Sequence, residues 1–156
     1  MGDSMKNKTN SLLYCILITI IIGSIPSIFI INNDVYESLN KPYLSPNGIV
    51  FPIVWTILFI LMGISLYRVN KYKRNYDNPN FIYFFQLFVN ALWTPIFFGL
   101  NFYLFAFIWL VFLLILVIIM FNNFYKIDKV SAYINIPYIV WLLFAGYLNL
   151  FIFILN

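Results

Sequence analysis

IPYIVWLLFAGYLN, residues 136–149, sits in the last long apolar segment of a 156-residue chain. On a helix turning about 100° per residue, Asn135, Tyr138, Leu142, Ala145 and Asn149 share one face, with Trp141 at its edge. Lipid offers no partner to an amide or a phenol, so this face must look into protein. Ala145 and Gly146 leave space beside it. Such a stripe is either a tight helix contact held by hydrogen bonds or one wall of a ligand pocket.

The rest of the chain puts that segment in a membrane. Hydrophobic residues make up 63% of the sequence and charged residues 9%, against about 25% charge in soluble domains. The net charge of +4 gathers in loops beside apolar runs, which argues for a membrane surface and against nucleic acid. Cys15 is a lone cysteine and is expected to be inert packing. There is no histidine, and no cysteine or carboxylate cluster replaces it, so neither a metal site nor triad chemistry is expected.

Five apolar runs of about twenty residues can be placed, each long enough to cross a bilayer. A polar tail, residues 1–11, precedes a span over 12–31, where Gly23, Ser24 and Ser27 form a small-residue face and Pro26 is expected to kink the helix. The second span, 49–69, carries Phe51, Trp55, Phe59 and Met62 on one face. The third, 81–100, brings Gln86, Asn90, Trp93 and Phe97 within about 60° of arc. Asn101 and Phe102 leave a very short turn into the fourth, 103–121, which is expected to shield the others from lipid. The fifth is 130–155. The expected fold is an all-α integral membrane protein, one five-transmembrane-helix bundle over 12–156. Twenty-residue blocks in place of ten-residue alternating ones exclude a barrel.

Five spans set the termini on opposite sides. Lys6, Lys8, Arg68, Lys71, Lys73, Arg74, Lys126 and Lys129 then share one side and Lys41 stands alone on the other, which predicts a cytoplasmic N-terminus and an exported C-terminus. In that frame the prolines, amides and aromatics of four spans converge beneath the first connection, residues 32–47. Its prolines forbid a long helix, yet Val35, Tyr36, Leu39, Tyr43 and Leu44 are too apolar for a free linker. A pocket open toward the outer side and lidded by this loop is the expected arrangement. Each residue also has a plainer role. Trp109 fits an interfacial belt, Trp93 and Trp141 fit core packing, Trp55 fits either a belt or a packed wall, and Gln86 and Asn90 fit interhelical hydrogen bonding.

IPYIVWLLFAGYLN, VFPIVWTILFILMGISLY (50–67), QLFVNALWTPIFFG (86–99) and the loop YESLNKPYLSP (36–46) together resemble the TspO/MBR family, the tryptophan-rich sensory proteins and the mitochondrial translocator proteins. The resemblance runs from about residue 12 to 156. It implies a five-helix membrane protein, commonly a homodimer, that binds porphyrins and, in animals, cholesterol and benzodiazepine-type ligands. It also implies ligand-binding roles for Trp55, Asn90, Trp93, Tyr138, Trp141, Phe144, Ala145 and Asn149, to which Phe51 and Phe59 are added from the face they share with Trp55. Tyr36, Lys41, Pro42, Leu44 and Pro46 are the corresponding lid residues. The loop departs from the family's pattern at Val35, Leu44 and Asn47, where Trp, Trp and Pro are usual.

Three functions follow as expectations. The first is a porphyrin-binding sensor or receptor of a bacterial cell membrane, with indole walls around a flat tetrapyrrole, no required cofactor, and porphyrin or another hydrophobic small molecule and membrane lipid as partners. The second, implied by the resemblance, is light- and oxygen-dependent degradation of protoporphyrin, with Trp55 and Trp141 as redox participants. The third is transport of tetrapyrroles or lipids, which the absence of a central ionisable residue disfavours.

Overall fold

The computed structural model describes residues 2–26, 36, 38–74 and 78–156, with side chains from residue 11 onward. Ser27, Val35 and the last residues of the expected first span lie outside the described residues. The described residues form helices and connections, with no strand among them. The helices are α1 (Gly2–Ser24), α2 (Val50–Tyr72), α3 (Pro79–Thr94), α4 (Tyr103–Ile127), α5 (Lys129–Tyr133) and α6 (Ile136–Leu155). A π-helical turn, Pro95–Gly99, continues α3.

Four stretches are long and apolar enough to cross a membrane: Val50–Tyr72, Pro79–Gly99, Tyr103–Ile127 and Lys129–Leu155. The apolar part of α1, Ser11–Ser24, is shorter. The bundle is apolar on its outside. Ile53 and Ile57 on α2, Phe81, Phe85 and Phe88 on α3, and Ile108, Phe112, Ile115 and Ile119 on α4 are exposed at spacings of three and four residues. Such stripes are what a lipid-facing helix presents. The molecule is an integral, multi-pass membrane helical bundle.

Prolines set several helix boundaries. α1 begins within the expected polar tail and ends at Ser24, two residues before Pro26, and the kink expected at Pro26 involves residues 27–31, outside the described residues. Pro79 and Pro137 occupy the first two positions of their helices, where the missing N–H has no partner to lose. Pro137 also divides the expected fifth span. A helix running through it would set its ring against the Tyr133 carbonyl, so the chain breaks at Ile134 and Asn135 and restarts as α6. Pro95 cannot donate to Ala91, and the chain widens there, with Leu100 N–H reaching the Pro95 carbonyl at 3.0 Å. Asn101, at φ 56°, then reverses direction into α4, using a left-handed conformation that Asn tolerates.

Lipid tails are as apolar as leucine, so packing and internal hydrogen bonds must hold the helices together. α1 packs on α2 and α3, α4 packs on α3 and α6, and the short α5 joins α2 to α4. Gly63 lets α2 approach α1 closely. Thr19 Oγ1 and Tyr83 Oη share a buried hydrogen bond of 2.6 Å between α1 and α3. Trp109 Nε1 donates to the Val89 carbonyl at 2.8 Å, so this residue ties α4 to α3. α4 also contributes Leu110, Leu113, Val117, Met120 and Phe124 to the core, more than a lipid shield would.

At the basic end, Ser65 Oγ donates to the Ser131 carbonyl at 2.7 Å and Asn135 Nδ2 donates to Ser65 Oγ at 2.7 Å. Arg68 Nε donates to Asp128 Oδ2 at 3.0 Å, and Asp128 also caps α5 through Ser131 N–H. Burial pushes the Asp128 carboxyl up, but hydrogen bonds from Ser131 and Arg68 and the Arg68 charge outweigh it and hold the carboxyl below its ordinary range. A depressed native value means stability that is present above the unfolded-chain value, about pH 4, and is lost as pH falls through the native one. Asp128→Asn should therefore be less stable than wild type at pH 7, and denaturant unfolding should show that gap closing below about pH 4. A gap of the same size at pH 3 would mean that the carboxylate charge contributes nothing.

Candidate functional site

The end of the bundle opposite the Arg68–Asp128 pair is built from rings. On α2, Trp55 stacks on Phe59 with centroids 5.5 Å apart and presents its edge to Tyr138 of α6 at 6.1 Å. One turn further out, Phe51 meets Trp141 at 5.9 Å and Tyr36 of the first connection at 5.3 Å. These contacts fill the gap between α2 and α6 with side chains. Gly23 of α1 makes room for Phe59, since a methyl group there would run into its ring.

Across from this wall, Trp93 stacks on Phe97 at 5.0 Å. Trp93 Nε1 donates to Asn149 Oδ1 at 3.1 Å, and Asn149 Nδ2 donates to the Tyr103 carbonyl at 2.8 Å. Asn149 thus joins α3, α4 and α6 with both ends of its amide satisfied. Between the walls is a void of about 20 Å³ lined by Tyr36, Phe51, Trp93, Phe97, Phe98, Ala145, Leu148, Asn149 and Ile152. It has room for about one water molecule. Rings crowd the void on both sides, Phe51 in one wall and Trp93 and Phe97 in the other.

One helical turn below the void the seam turns polar. Asn90 Nδ2 and Trp141 Nε1 are buried with no hydrogen-bond partner, and Gln86 Nε2 lies a further turn down in the same condition. Tyr138 Oη donates to Gln86 Oε1 at 3.0 Å, so the glutamine is satisfied on its oxygen alone. Buried polar atoms are normally paired. Three N–H donors unpaired in one seam suit an acceptor that the protein itself does not supply.

The expected residues divide in three. Phe51, Trp93, Ala145, Asn149 and Tyr36 line the void, while Trp55, Phe59, Asn90, Tyr138 and Trp141 form the seam below it. Phe144 reaches Trp141 at 5.6 Å but continues away along Tyr147, a ladder that does not border the void. In the lid, Tyr36 carries the contact: its hydroxyl donates to the Pro46 carbonyl at 3.2 Å, and the Lys41 amine lies 4.4 Å from its ring centroid. Pro42 is buried, whereas Leu44 is 61% exposed. The lid is also clasped to the end of α6, with Asn40 N–H donating to Asn156 Oδ1 and Asn156 Nδ2 donating to the Asn40 carbonyl, both at 3.0 Å.

Phe97, Phe98, Leu148 and Ile152 line the void without having been expected there. Leu148 and Ile152 extend the 138, 142, 145, 149 face by the same helical period, so the sequence carried that signal. Phe98 joins Phe97 because of the π turn, which no periodicity reveals.

Residues 15–155 match the TspO/MBR family. The chain belongs to that family. A tryptophan-rich protein TspO of Chlorobaculum tepidum is 37% identical over 124 residues, 78% of each chain. A tryptophan-rich sensory protein of Cereibacter sphaeroides is 33% identical, over 73% of this chain and 72% of its own. The translocator protein of Bos taurus is 29% identical, over 73% of this chain and 70% of its own. The TspO/MBR match spans every element that builds the site, from α1 to α6. Nothing in that site resembles an acid–base or metal centre, and no group of three metal-capable side chains gathers among the described residues. Its chemistry is that of flat apolar walls around a row of N–H donors.

Proposed function

We propose that this TspO/MBR-family protein is a five-span membrane receptor or sensor that binds porphyrins between α2, α3 and α6. The observation that carries this reading is the set of unpaired buried donors, Asn90 Nδ2, Trp141 Nε1 and Gln86 Nε2, in the core against which Trp55 and Trp141 pack. A tetrapyrrole offers a flat plate for the indoles and acceptor carboxylates at its edge. Pockets for ligands of this size measure about 300–1,000 Å³, so the rings that close the void must move apart as the ligand enters. With no histidine in the chain, the plate is held by its faces and edges and has no axial imidazole. A second reading, photodegradation of the bound porphyrin, is favoured by the two easily oxidised indoles, Trp55 and Trp141, within one aromatic wall.

One experiment tests both. Protoporphyrin is titrated into the purified protein, with tryptophan emission reporting binding, and the complex is then illuminated in air. Ala145→Leu, which places a larger side chain at the void, should weaken binding by roughly ten-fold or more, in keeping with an overpacking cost of about 1 to 3 kcal/mol. Trp55→Phe and Trp141→Phe should each cost about 1 kcal/mol, because phenylalanine keeps most of the flat area. Metal-free and iron porphyrin should bind alike. Unchanged affinity in Ala145→Leu, or a strong preference for iron with a ligated-haem spectrum, defeats the binding reading. Bleaching to a defined product by wild type and not by the phenylalanine variants establishes the second reading, and bleaching equal to that of free porphyrin in detergent removes it.

A further inference from the structure

The opposite end of the bundle carries a surface for which the pocket has no use. Lys71, Tyr72 and Lys73 stand at the end of α2, and Tyr125, Lys126 and Lys129 at the junction of α4 and α5. All six are exposed. The Arg68–Asp128 ion pair and the Ser65–Ser131 hydrogen bond join the two groups, because α2 packs directly on α5. Lys71 lies three residues beyond Arg68 on one side of the helix, and Lys129 follows Asp128 directly. The ion pair therefore brings both lysines to a single rim.

Rings lie under these cations. The Lys71 amine is 5.1 Å and the Arg68 guanidinium 5.5 Å from the centroid of Tyr72, and the Lys129 amine is 5.5 Å from that of Tyr125. Tyr125 is further packed edge-on against Tyr133 at 5.9 Å. The acid available to balance the rim is sparse. Asp128 is the only acidic side chain among the described ones, and Arg68 already holds it; residues 68–80 carry four bases and one further acid, Asp77.

Cations alone would attract any polyanion. The rim, however, terminates helical stretches long and apolar enough to cross a membrane, so the headgroup layer of the bilayer passes through it. Exposed phenols at this depth fit the glycerol region of a lipid, where a ring is apolar on one side and wet on the other. A free phosphate would meet the lysines and leave the rings unused. We propose that this rim is a binding site for an anionic phospholipid, with the headgroup phosphate between Lys71 and Lys129 and the rings of Tyr72 and Tyr125 against the glycerol below it.

The test uses the full chain in neutral detergent, titrated with phosphatidylglycerol in mixed micelles while the thermal unfolding midpoint is followed. Phosphatidylcholine and glycerol phosphate are the comparison arms. Phosphatidylglycerol should raise the midpoint saturably. In Lys71→Gln/Lys129→Gln, which alters two exposed side chains, the half-saturating concentration should rise roughly twenty-fold, on the order of five-fold per lysine, while Lys71→Arg/Lys129→Arg stays within about two-fold of wild type. Equal stabilisation by phosphatidylcholine, equal stabilisation by glycerol phosphate, or an unchanged half-saturation in the glutamine pair overturns the proposal.

Discussion

Gly63→Val is expected to separate α1 from α2 and to destabilise the bundle by about 3 kcal/mol or more, the upper end of what overpacking costs. A Cβ at this position would lie 2.5 Å from Ile16 Cα and 3.0 Å from the Cys15 carbonyl oxygen. Both are backbone atoms, so no rotamer change relieves the contact and the helices must part. Separation would also strain the Thr19–Tyr83 bond that fixes α1 on α3. Two other glycines set the scale. At Gly23 the obstacle is the Phe59 ring, which can turn at the expense of its stack on Trp55. At Gly146 a Cβ meets nothing within 4 Å, so Gly146→Ala should be neutral or stabilising by up to about 1 kcal/mol, as alanine is in a helix. Unfolding in a denaturing detergent, followed by helix signal and by proteolysis of α1, separates the three variants. Wild-type stability in Gly63→Val would show that the close approach is not required.

The next largest effect is expected from Asn149→Leu. Leucine shares the branching of asparagine, though it is bulkier, and leaves Trp93 Nε1 and the Tyr103 carbonyl without the partners they have at 3.1 and 2.8 Å. An abandoned buried group costs about 1 to 3 kcal/mol, and the unfolded chain in a membrane finds substitute partners, so the sum should fall near 2 kcal/mol. Asn135→Leu makes the contrast. Asn135 is also fully buried, yet its Oδ1 has no partner, so its removal discards an unpaired atom along with two hydrogen bonds and should cost less. If both substitutions cost the same, pairing within the amide is not what decides their contribution.

Apolar length and helical period were enough to read an all-helical membrane bundle, because a bilayer demands about twenty apolar residues and a buried face repeats every three or four. They failed where the backbone obeys something other than hydropathy. α4 runs on through Asn122, Asn123 and Lys126 to Ile127 because polarity does not stop a helix. The break at Ile134 and the π turn at Pro95 are steric consequences of proline, visible as residues but not as outcomes. In the site, the face of Tyr138, Ala145 and Asn149 was readable from spacing alone. That Asn149 binds Trp93 whereas the Asn90 amide nitrogen has no partner was not, since both are asparagines on apolar helices and only the neighbouring helix distinguishes them.

The void of about 20 Å³ bears on how any measured affinity should be understood. On the proposed porphyrin-binding reading, the ligand would bind a form in which the rings have parted, and its apparent dissociation constant would be the intrinsic one divided by the fraction of molecules in that form. Occupancy then obeys two equilibria in series. A substitution remote from the ligand that loosens the Asn40–Asn156 clasp or the Tyr36–Phe51 contact would tighten apparent binding without adding a contact, and a substitution that tightens them would weaken it without removing one. The association rate would move with the open fraction, while the dissociation rate of the bound plate would report its contacts with the indoles.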